Sequence, residues 1–188
     1  ININNFIVTR EPGGTELGKK IRSLLLDTST NIDSITELLL FSADRAQHIN
    51  EKIKPALQNG KIVICDRYID STIAYQVGGR QLNEKTILDA IKLATTNLTP
   101  DYTFLFDISP KTGLMRATKK ESADRMEQEH IDFHKRVRNK YLELANNNKR
   151  FIVFDSETKS IKDIQKKVIQ EFKRITKNDK NQHNSSNI

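Results

Sequence analysis

Residues Ile62-Val63-Ile64-Cys65 form a continuously apolar run that ends at Asp66-Arg67-Tyr68. A short run of this kind, rich in β-branched residues, is typical of a strand that is buried on both faces of a sheet. Similar runs occur at 6–9, 102–106 and 151–154. Segments with helical spacing of their apolar residues separate these runs. The alternation predicts an α/β fold, a three-layer sandwich with one parallel sheet and helices on both of its faces.

Several helix ends can be predicted from local chemistry. Ser34-Ile-Thr-Glu37 has the pattern of a capping box that opens a helix. Pro55 should kink or divide that helix, and Gly60 fits its end. We expect residues 1–175 to form a single domain. The Asn-rich and Lys-rich stretch from about Thr176, residues 176–188, predicts a disordered tail.

Composition narrows the class of protein. The 188 residues are 36% hydrophobic and 29% charged, which fits one globular domain. The single Cys65 allows no internal disulfide, and because its apolar strand should bury it we expect a reducing, cytoplasmic location. No apolar stretch has the length of a membrane span. The net charge of +7 is concentrated late in the chain, with 8 basic and 4 acidic residues after Asp155, which favours a solvated helix face over a nucleic-acid surface.

The predicted sheet places polar side chains at the carboxyl ends of its strands, where α/β proteins bind ligands. Arg10-Glu11, Asp66-Arg67 and Asp107 occupy these positions. Together with Arg45 on an intervening helix, the two strand-end arginines form a basic cluster that suits phosphate oxygens. Residues 116–127 hold further cations between two predicted helices, and this segment fits a mobile lid over an anion.

Four motifs, in this order and at these distances, resemble those of bacterial thymidylate kinases. They are Thr9-Arg-Glu-Pro-Gly-Gly14, Leu40-Phe-Ser-Ala-Asp-Arg45, Asp66-Arg-Tyr68 with the polar residues that follow it, and Asp124-Arg-Met-Glu-Gln-Glu129. The resemblance extends from about Phe6 to Phe172. It implies a P-loop nucleoside monophosphate kinase-like fold and an ATP-dependent phosphotransferase that converts dTMP to dTDP in dTTP biosynthesis. It also implies Mg²⁺, a cytoplasmic homodimer, and no nucleic-acid or membrane partner.

The resemblance assigns roles to individual residues. Phe41 would stack on thymine, and Arg45 would hydrogen-bond the edge of the base. The other residues that the resemblance places around the acceptor nucleotide are Arg10, Glu11, Arg22, Ser71, Thr72, Tyr75 and Gln76. Catalytic roles fall on Asp66, Arg67, Arg116 and Arg125, with Asp66 also beside the metal. Lys119 and Lys120 of the lid would contact ATP.

The family has a glycine-rich phosphate loop that should precede the first strand of this chain. Gly13 to Lys19 satisfies Gly-x-x-x-x-Gly-Lys, but Lys20 replaces the hydroxyl residue that should coordinate magnesium, and the segment reads as helix. We therefore expect an upstream segment that carries the loop, and little kinase activity from these residues alone. Three other interpretations stay open: a non-catalytic or inactive piece of a nucleoside monophosphate kinase, another such kinase, and a nucleic-acid-binding protein.

Overall fold

The computed structural model describes residues 5–118 and 123–185. Strands and helices alternate along them. The strands are β1 (Phe6–Arg10), β2 (Ile62–Asp66), β3 (Thr103–Asp107) and β4 (Phe151–Asp155). The α-helices are α1 (Glu16–Leu26), α2 (Ser34–His48), α3 (Lys54–Gln58), α4 (Ile69–Thr72), α5 (Glu84–Thr95), α6 (Pro110–Thr118), α7 (Ile131–Asn147) and α8 (Ile161–Ser185). Two π-helical segments, Ile49–Ile53 and Ile73–Gly79, continue α2 and α4.

Strand pairing is parallel, and helices pack on both sides, as the sequence predicts. In register, Arg10 lies opposite Asp66, and Asp107 lies opposite Asp155. Within the described residues the strands form two separate pairs, β1–β2 and β3–β4, and not the single sheet that we expected. An apolar run indicates that a segment becomes a strand, but it carries no information about which strand becomes its neighbour.

A buried polar network connects the two strand pairs. Asp70 of α4 is 4% exposed and pairs with Arg150, which precedes β4. The same carboxylate accepts a hydrogen bond of 2.8 Å from Thr103 Oγ1 at the start of β3. Because α4 follows β2 closely, this network fixes β3 and β4 relative to the carboxyl end of β2.

The prediction that the apolar strands are buried on both faces is partly wrong. Val8 and Ile64, which are register partners, are 70% and 39% exposed, and Val153 of β4 is 49% exposed. Cys65 is only half-buried. These strand positions are therefore only partly covered by the described part of the chain.

The core lies mainly between helices. One cluster joins α2, α4, α5 and the second π-helical segment through Leu38, Ile69, Ile73, Ile87 and Ile91. A second cluster packs that segment against α7. Gly79 permits this contact, because a Cβ atom there would lie 2.5 Å from a ring carbon of Phe133. The packing places the residues between Ser71 and Gln76 beside α7.

The start of α2 differs from the prediction. Asp33, and not Ser34, caps the helix by accepting a hydrogen bond from the Ile35 amide. Glu37 does not cap the helix, because its carboxylate is fully buried in ion pairs with arginines from other segments. At the other end, the π-helical segment precedes Pro55, and Gly60 adopts a φ of 67° after α3, so the predicted interruption and stop are confirmed.

The apparent phosphate-loop motif is helical, as predicted. Thr15 caps α1 by accepting from the Gly18 amide at 2.9 Å, and Gly18 and Lys19 both lie within the helix. At the end of the chain, α8 continues through Thr176 to Ser185, into the stretch whose composition predicts disorder. None of the helices in the described ranges is long and apolar enough to span a bilayer.

Candidate functional site

A cavity of about 320 Å³ opens beside the carboxyl end of β2. A volume of this size can hold a small organic ligand. Its walls come from the turn after β1 and from α1, α2, α4, the second π-helical segment and the residues that precede and begin α7. The lining residues are Glu11, Pro12, Arg22, Leu26, Phe41, Arg45, Asp66, Arg67, Ser71, Thr72, Tyr75, Gln76, Asp124, Met126, Glu127 and His134.

A buried charged network supports one wall of the cavity. Arg45 donates from Nε to Glu11 Oε2 at 2.7 Å, and His48 Nδ1 lies 2.9 Å from Glu11 Oε1. His48 Nε2 is also 2.6 Å from Thr9 Oγ1. Arg45 is only 2% exposed, and its guanidinium lies 5.3 Å from the ring centroid of Tyr68. These contacts fix the arginine in one orientation against the cavity.

Arg45 retains donors beyond those that the network uses. Besides its bond to Glu11, it donates from Nη1 to Thr72 Oγ1 at 2.8 Å. A guanidinium has five N–H groups, so donors remain for a carbonyl group of a ligand. The half-buried ring of Phe41, one helical turn before Arg45, adds an aromatic face to the same cavity. This wall suits a flat ring that carries carbonyl oxygens.

Another part of the cavity wall is cationic. Arg67 follows β2 with a φ of 65°, in the left-handed region that a residue with a side chain rarely adopts. Such a backbone conformation costs on the order of 1–3 kcal/mol and often occurs at a binding site. The Arg67 guanidinium lies 5.2 Å from the ring centroid of Tyr75. The Asp66 carboxylate makes no side-chain hydrogen bond within the described residues.

Aromatic packing holds Tyr75 in place. Its ring makes edge contacts with Phe133 and Tyr141 of α7, at centroid distances of 6.0 and 6.5 Å. Tyr141 donates its hydroxyl hydrogen to Ser71 Oγ at 2.7 Å. Burial raises the pKa of Tyr141 to about 12, so the hydroxyl remains a donor near neutral pH. Helix α7 therefore positions both Ser71 and the ring beneath Arg67.

One side-chain cluster has the composition of a metal site. The ligand atoms of Glu11, His48 and Cys65 lie within 4.8 Å of one another. Each of them already has a hydrogen-bond partner, since the thiol donates to the Arg67 carbonyl and the Glu11 carboxylate is paired with Arg45 and His48. A metal ion would have to displace these partners in the presence of the Arg45 cation, so we assign the cluster a structural role.

Comparisons with known proteins now identify the family. A family model described as thymidylate kinase matches residues 2–168. The chain belongs to the thymidylate kinase family. It is 50% identical over 153 residues to the thymidylate kinase of Trichodesmium erythraeum, with 80% of this chain and 68% of that protein covered. It is also 50% identical to the enzyme of Carboxydothermus hydrogenoformans, with 81% and 75% of the two chains covered.

A solved structure shows the same fold. The crystal structure of thymidylate kinase from Ehrlichia chaffeensis is 34% identical in sequence and superposes with a TM-score of 0.73. The comparison covers 91% of this chain and 82% of that one. The predicted resemblance and the predicted α/β fold class are therefore confirmed.

Most of the residues that the thymidylate kinase motifs single out lie around one cavity in the structure. The predicted residues that line it are Glu11, Arg22, Phe41, Arg45, Asp66, Arg67, Ser71, Thr72, Tyr75 and Gln76. Arg22 also donates to the Pro12 carbonyl at 3.2 Å, which fixes the turn after β1.

Four predicted or candidate residues lie elsewhere. Arg10 is exposed at the end of β1 and does not line the cavity. Arg116 donates to the Ser156 carbonyl at 3.0 Å. Arg125 donates to the Leu25 carbonyl and to Glu37. Asp107 forms a two-bond ion pair with Arg138.

Two more predicted residues, Lys119 and Lys120, lie outside the described residues. The division of the domain into a core and a lid at 116–127 stays a prediction.

Sequence reasoning missed the part of the cavity wall that the end of the lid segment and the first turns of α7 form. Asp124, Met126, Glu127 and His134 line the cavity, although only the motif that contains the first three was recognised. Asp124 Oδ1 accepts from the amides of Met126 and Glu127, so this segment forms a tight turn. Burial lowers the pKa of His134, whose imidazole is therefore neutral near pH 7. The sequence feature that could have indicated His134 is the helical spacing that places it on the same helix as Tyr141.

Proposed function

We propose that this cavity binds dTMP and that the protein transfers the γ-phosphoryl group of ATP to it, giving dTDP. The observation that carries the proposal is one cavity with an aromatic and hydrogen-bonding wall at Phe41 and Arg45 and a cationic wall at Arg67. A pyrimidine monophosphate has the matching parts, a flat base with carbonyl groups at one end and a phosphate at the other. Family membership favours this function over nucleic-acid binding.

The residues of the cavity contribute positioning more than covalent chemistry. Phosphoryl transfer is accelerated mainly by holding donor and acceptor in line and by neutralising negative charge. Arg67, on a backbone fixed after β2, would hold the acceptor phosphate with a fork of N–H groups. Arg45 would hold a base carbonyl. With both ends held in this way, the acceptor phosphate would lie beside Asp66, which lines the same cavity next to Arg67.

The chemistry of Asp66 fits a magnesium ion. Its carboxylate is exposed to the cavity, lies next to Arg67, and has no hydrogen-bond partner within the described residues. Mg²⁺ is commonly held by one or two carboxylates together with substrate phosphates and water. Bound at this position, it would neutralise phosphate charge. The residues proposed for ATP are the lid lysines Lys119 and Lys120, whereas Arg116 and Arg125, for which catalytic roles were expected, are bonded to Ser156 and to Glu37 in this structure.

A homodimer in the cytoplasm is the proposed assembly and location. Exposed apolar side chains on α2 and α5, two helices that pack against each other, support self-association: Ile35 is 45%, Leu39 59% and Leu88 45% exposed. Analytical ultracentrifugation of the wild-type protein and of Leu39→Glu tests it. We expect a dimer that the substitution weakens, and a wild-type monomer at micromolar concentration would contradict the assembly.

Nucleotide binding and phosphate transfer test the function separately. Calorimetry should show that the chain binds dTMP more tightly than dAMP or dGMP. Arg67→Ala should weaken binding of dTMP but not of thymidine, which has no phosphate. With ATP and Mg²⁺, dTMP-dependent formation of dTDP and ADP would establish the transfer. Equal affinity for all three monophosphates would refute the proposal.

A further inference from the structure

Glu37 is a fully buried carboxylate with a complete set of donors. It lies in the first turn of α2 and is 0% exposed. Gln76 Nε2 and Arg80 Nε donate to Glu37 Oε1 at 2.8 and 3.0 Å. Arg80 Nη2 and Arg125 Nη2 donate to Glu37 Oε2 at 2.9 and 2.5 Å. Four hydrogen bonds from three residues thus converge on one side chain.

The charges around Glu37 keep it ionised. Burial by itself would raise the pKa of Glu37, but hydrogen bonds from Arg80, Gln76 and Arg125 outweigh burial, and the pKa is lowered from its usual value. Arg80 is held in turn by a second carboxylate, Glu129. At neutral pH Glu37 is therefore an acceptor at both oxygens and a donor at neither.

An acceptor-only neighbour decides the orientation of the Gln76 amide. A glutamine side chain can present either its NH₂ group or its carbonyl oxygen to a given partner. Against an ionised carboxylate only the NH₂ group makes a hydrogen bond, so the carbonyl oxygen must point the other way. In the described part of the chain this oxygen, Gln76 Oε1, is buried and has no hydrogen-bond partner. Gln76 is also part of the cavity wall.

An unpaired buried acceptor favours a ligand that can donate a hydrogen bond to it. Leaving such an atom without a donor is costly, and a ligand that supplies an N–H group removes this cost. Sites built in this way discriminate strongly against analogues that lack the matching group. Arg45, which donates to Thr72 four residues before Gln76, offers further donors to the same cavity, so the lining presents donors at one point and an acceptor at another. A base with a carbonyl oxygen next to a protonated ring nitrogen satisfies both.

We propose that Glu37 is a positioning residue for base selection, which fixes the Gln76 amide so that its oxygen accepts a hydrogen bond from a protonated ring nitrogen of the base. The inference rests on the proposed function, because it requires that a pyrimidine base occupies this cavity. Glu37 does not contact the base; it acts by excluding the flipped orientation of the amide. Arg80 and Arg125 keep the carboxylate charged and in place.

The test compares dTMP with dTMP methylated at ring nitrogen N3, which has no hydrogen there. The readout is the dissociation constant of the methylated nucleotide divided by that of dTMP. Calorimetry measures this ratio for wild type, Gln76→Met, Glu37→Gln and Glu129→Gln. The methyl group would contact residue 76, whose side chain is the same in three of the proteins and of similar length in Gln76→Met, so a change in the ratio reports the hydrogen bond. Gln76→Met should lower the ratio about tenfold, the value of one hydrogen bond.

Glu37→Gln should lower the ratio to the same extent, because a carboxamide at position 37 also donates and lets the Gln76 amide turn over. Glu129→Gln is the matched control: it loosens the same network through Arg80 but does not touch Gln76, so it should leave the ratio at the wild-type value. A folded Glu37→Gln protein with the wild-type ratio, beside a lowered ratio in Gln76→Met, overturns the inference. If wild type binds neither nucleotide, the proposed function fails instead.

A second measurement applies if Glu37→Gln does not fold. The side-chain NH₂ resonance of Gln76 can be assigned in the wild-type protein by its loss in Gln76→Met. A coupling across the hydrogen bond, from Gln76 Nε2 to the Glu37 carboxylate carbon, should be present both without and with dTMP. Loss of this coupling when dTMP binds would show that the NH₂ group turns towards the ligand, and the inference would be wrong.

Discussion

Glu11→Gln should be strongly destabilising, because it removes the negative charge that compensates a buried arginine. Glu11 and Arg45 are each only 3% exposed in their side chains, and their charged atoms are 2.7 Å apart. Removing one partner of a buried ion pair typically costs about 3–5 kcal/mol, since the other charge stays buried and unpaired. The amide also cannot accept at both ends, so the contact with His48 Nδ1 or with Arg45 is weakened.

A second carboxylate moderates this loss. Asp44 is buried, and its pKa is raised by that burial and by the charge of Glu11. Once Glu11 is neutral, Asp44 ionises more readily and partly balances Arg45. We therefore expect a loss of about 2–4 kcal/mol in the free energy of unfolding, somewhat less than the roughly 3–5 kcal/mol that is typical when no second carboxylate is present.

Urea denaturation at pH 7 measures this loss, with Glu16→Gln as the matched control. Glu16 makes the same kind of ion pair, with Lys19, but its side chain is 85% exposed, so the same substitution should leave the transition midpoint unchanged. For a chain of this size the loss from Glu11→Gln corresponds to a fall in melting temperature of about 4–16 °C. Equal midpoints for Glu11→Gln and wild type would show that the charge of Glu11 is not needed to compensate the buried Arg45, and the reasoning would be refuted.

Further substitutions test other parts of the site and the packing. Phe41→Ala should weaken dTMP binding by about 1–3 kcal/mol, the range for losing a stacked base contact, and an unchanged affinity would make Phe41 a core residue only. Arg67→Ala should raise KM for dTMP and lower kcat together, since its contacts form in both ground and transition states; a normal KM would contradict this role. Because the pKa of Glu37 is lowered in the folded protein, its ionised carboxylate stabilises the fold at pH values above the ordinary glutamate pKa. This stabilisation is lost as the pH falls through the folded-state pKa. The melting temperature should therefore fall less between pH 7 and pH 3 in Glu37→Gln than in wild type. Gly79→Ala should lower the melting temperature, because its Cβ would lie 2.5 Å from the Phe133 ring, whereas Gly60→Ala, which meets no atom within 4 Å, reports only the strain of a positive φ.

The sequence predicts those features that local chemistry determines. The strands, their parallel pairing and the helix at Gly18 and Lys19 follow from apolar runs and spacing, and the structure confirms them. Side-chain partners from distant segments do not follow in this way. Glu37 was interpreted as a cap because Ser34 stands three residues before it, whereas its partner Arg80 is 43 positions away. Nothing in one sequence reports a contact at that separation.

Helix α2 shows why the buried side of the site was the hardest part to predict. Glu37, Phe41, Arg45 and His48 follow one another at intervals of four, four and three residues, so they share one face of the helix. In a hydropathy pattern three of the four look like residues of a solvated face, yet Glu37, Arg45 and His48 are each at most 2% exposed.

Burying these groups is tolerable because each meets a partner from another element: Arg80 for Glu37, and Glu11 for Arg45 and His48. Buried charges on this face add little to the stability of the fold, since a protein with apolar residues of similar volume at such positions is often as stable. What it gains is a set of fixed donors and acceptors along one wall of the cavity. The burial of charge on α2 is therefore itself an argument that this wall is built to recognise a ligand.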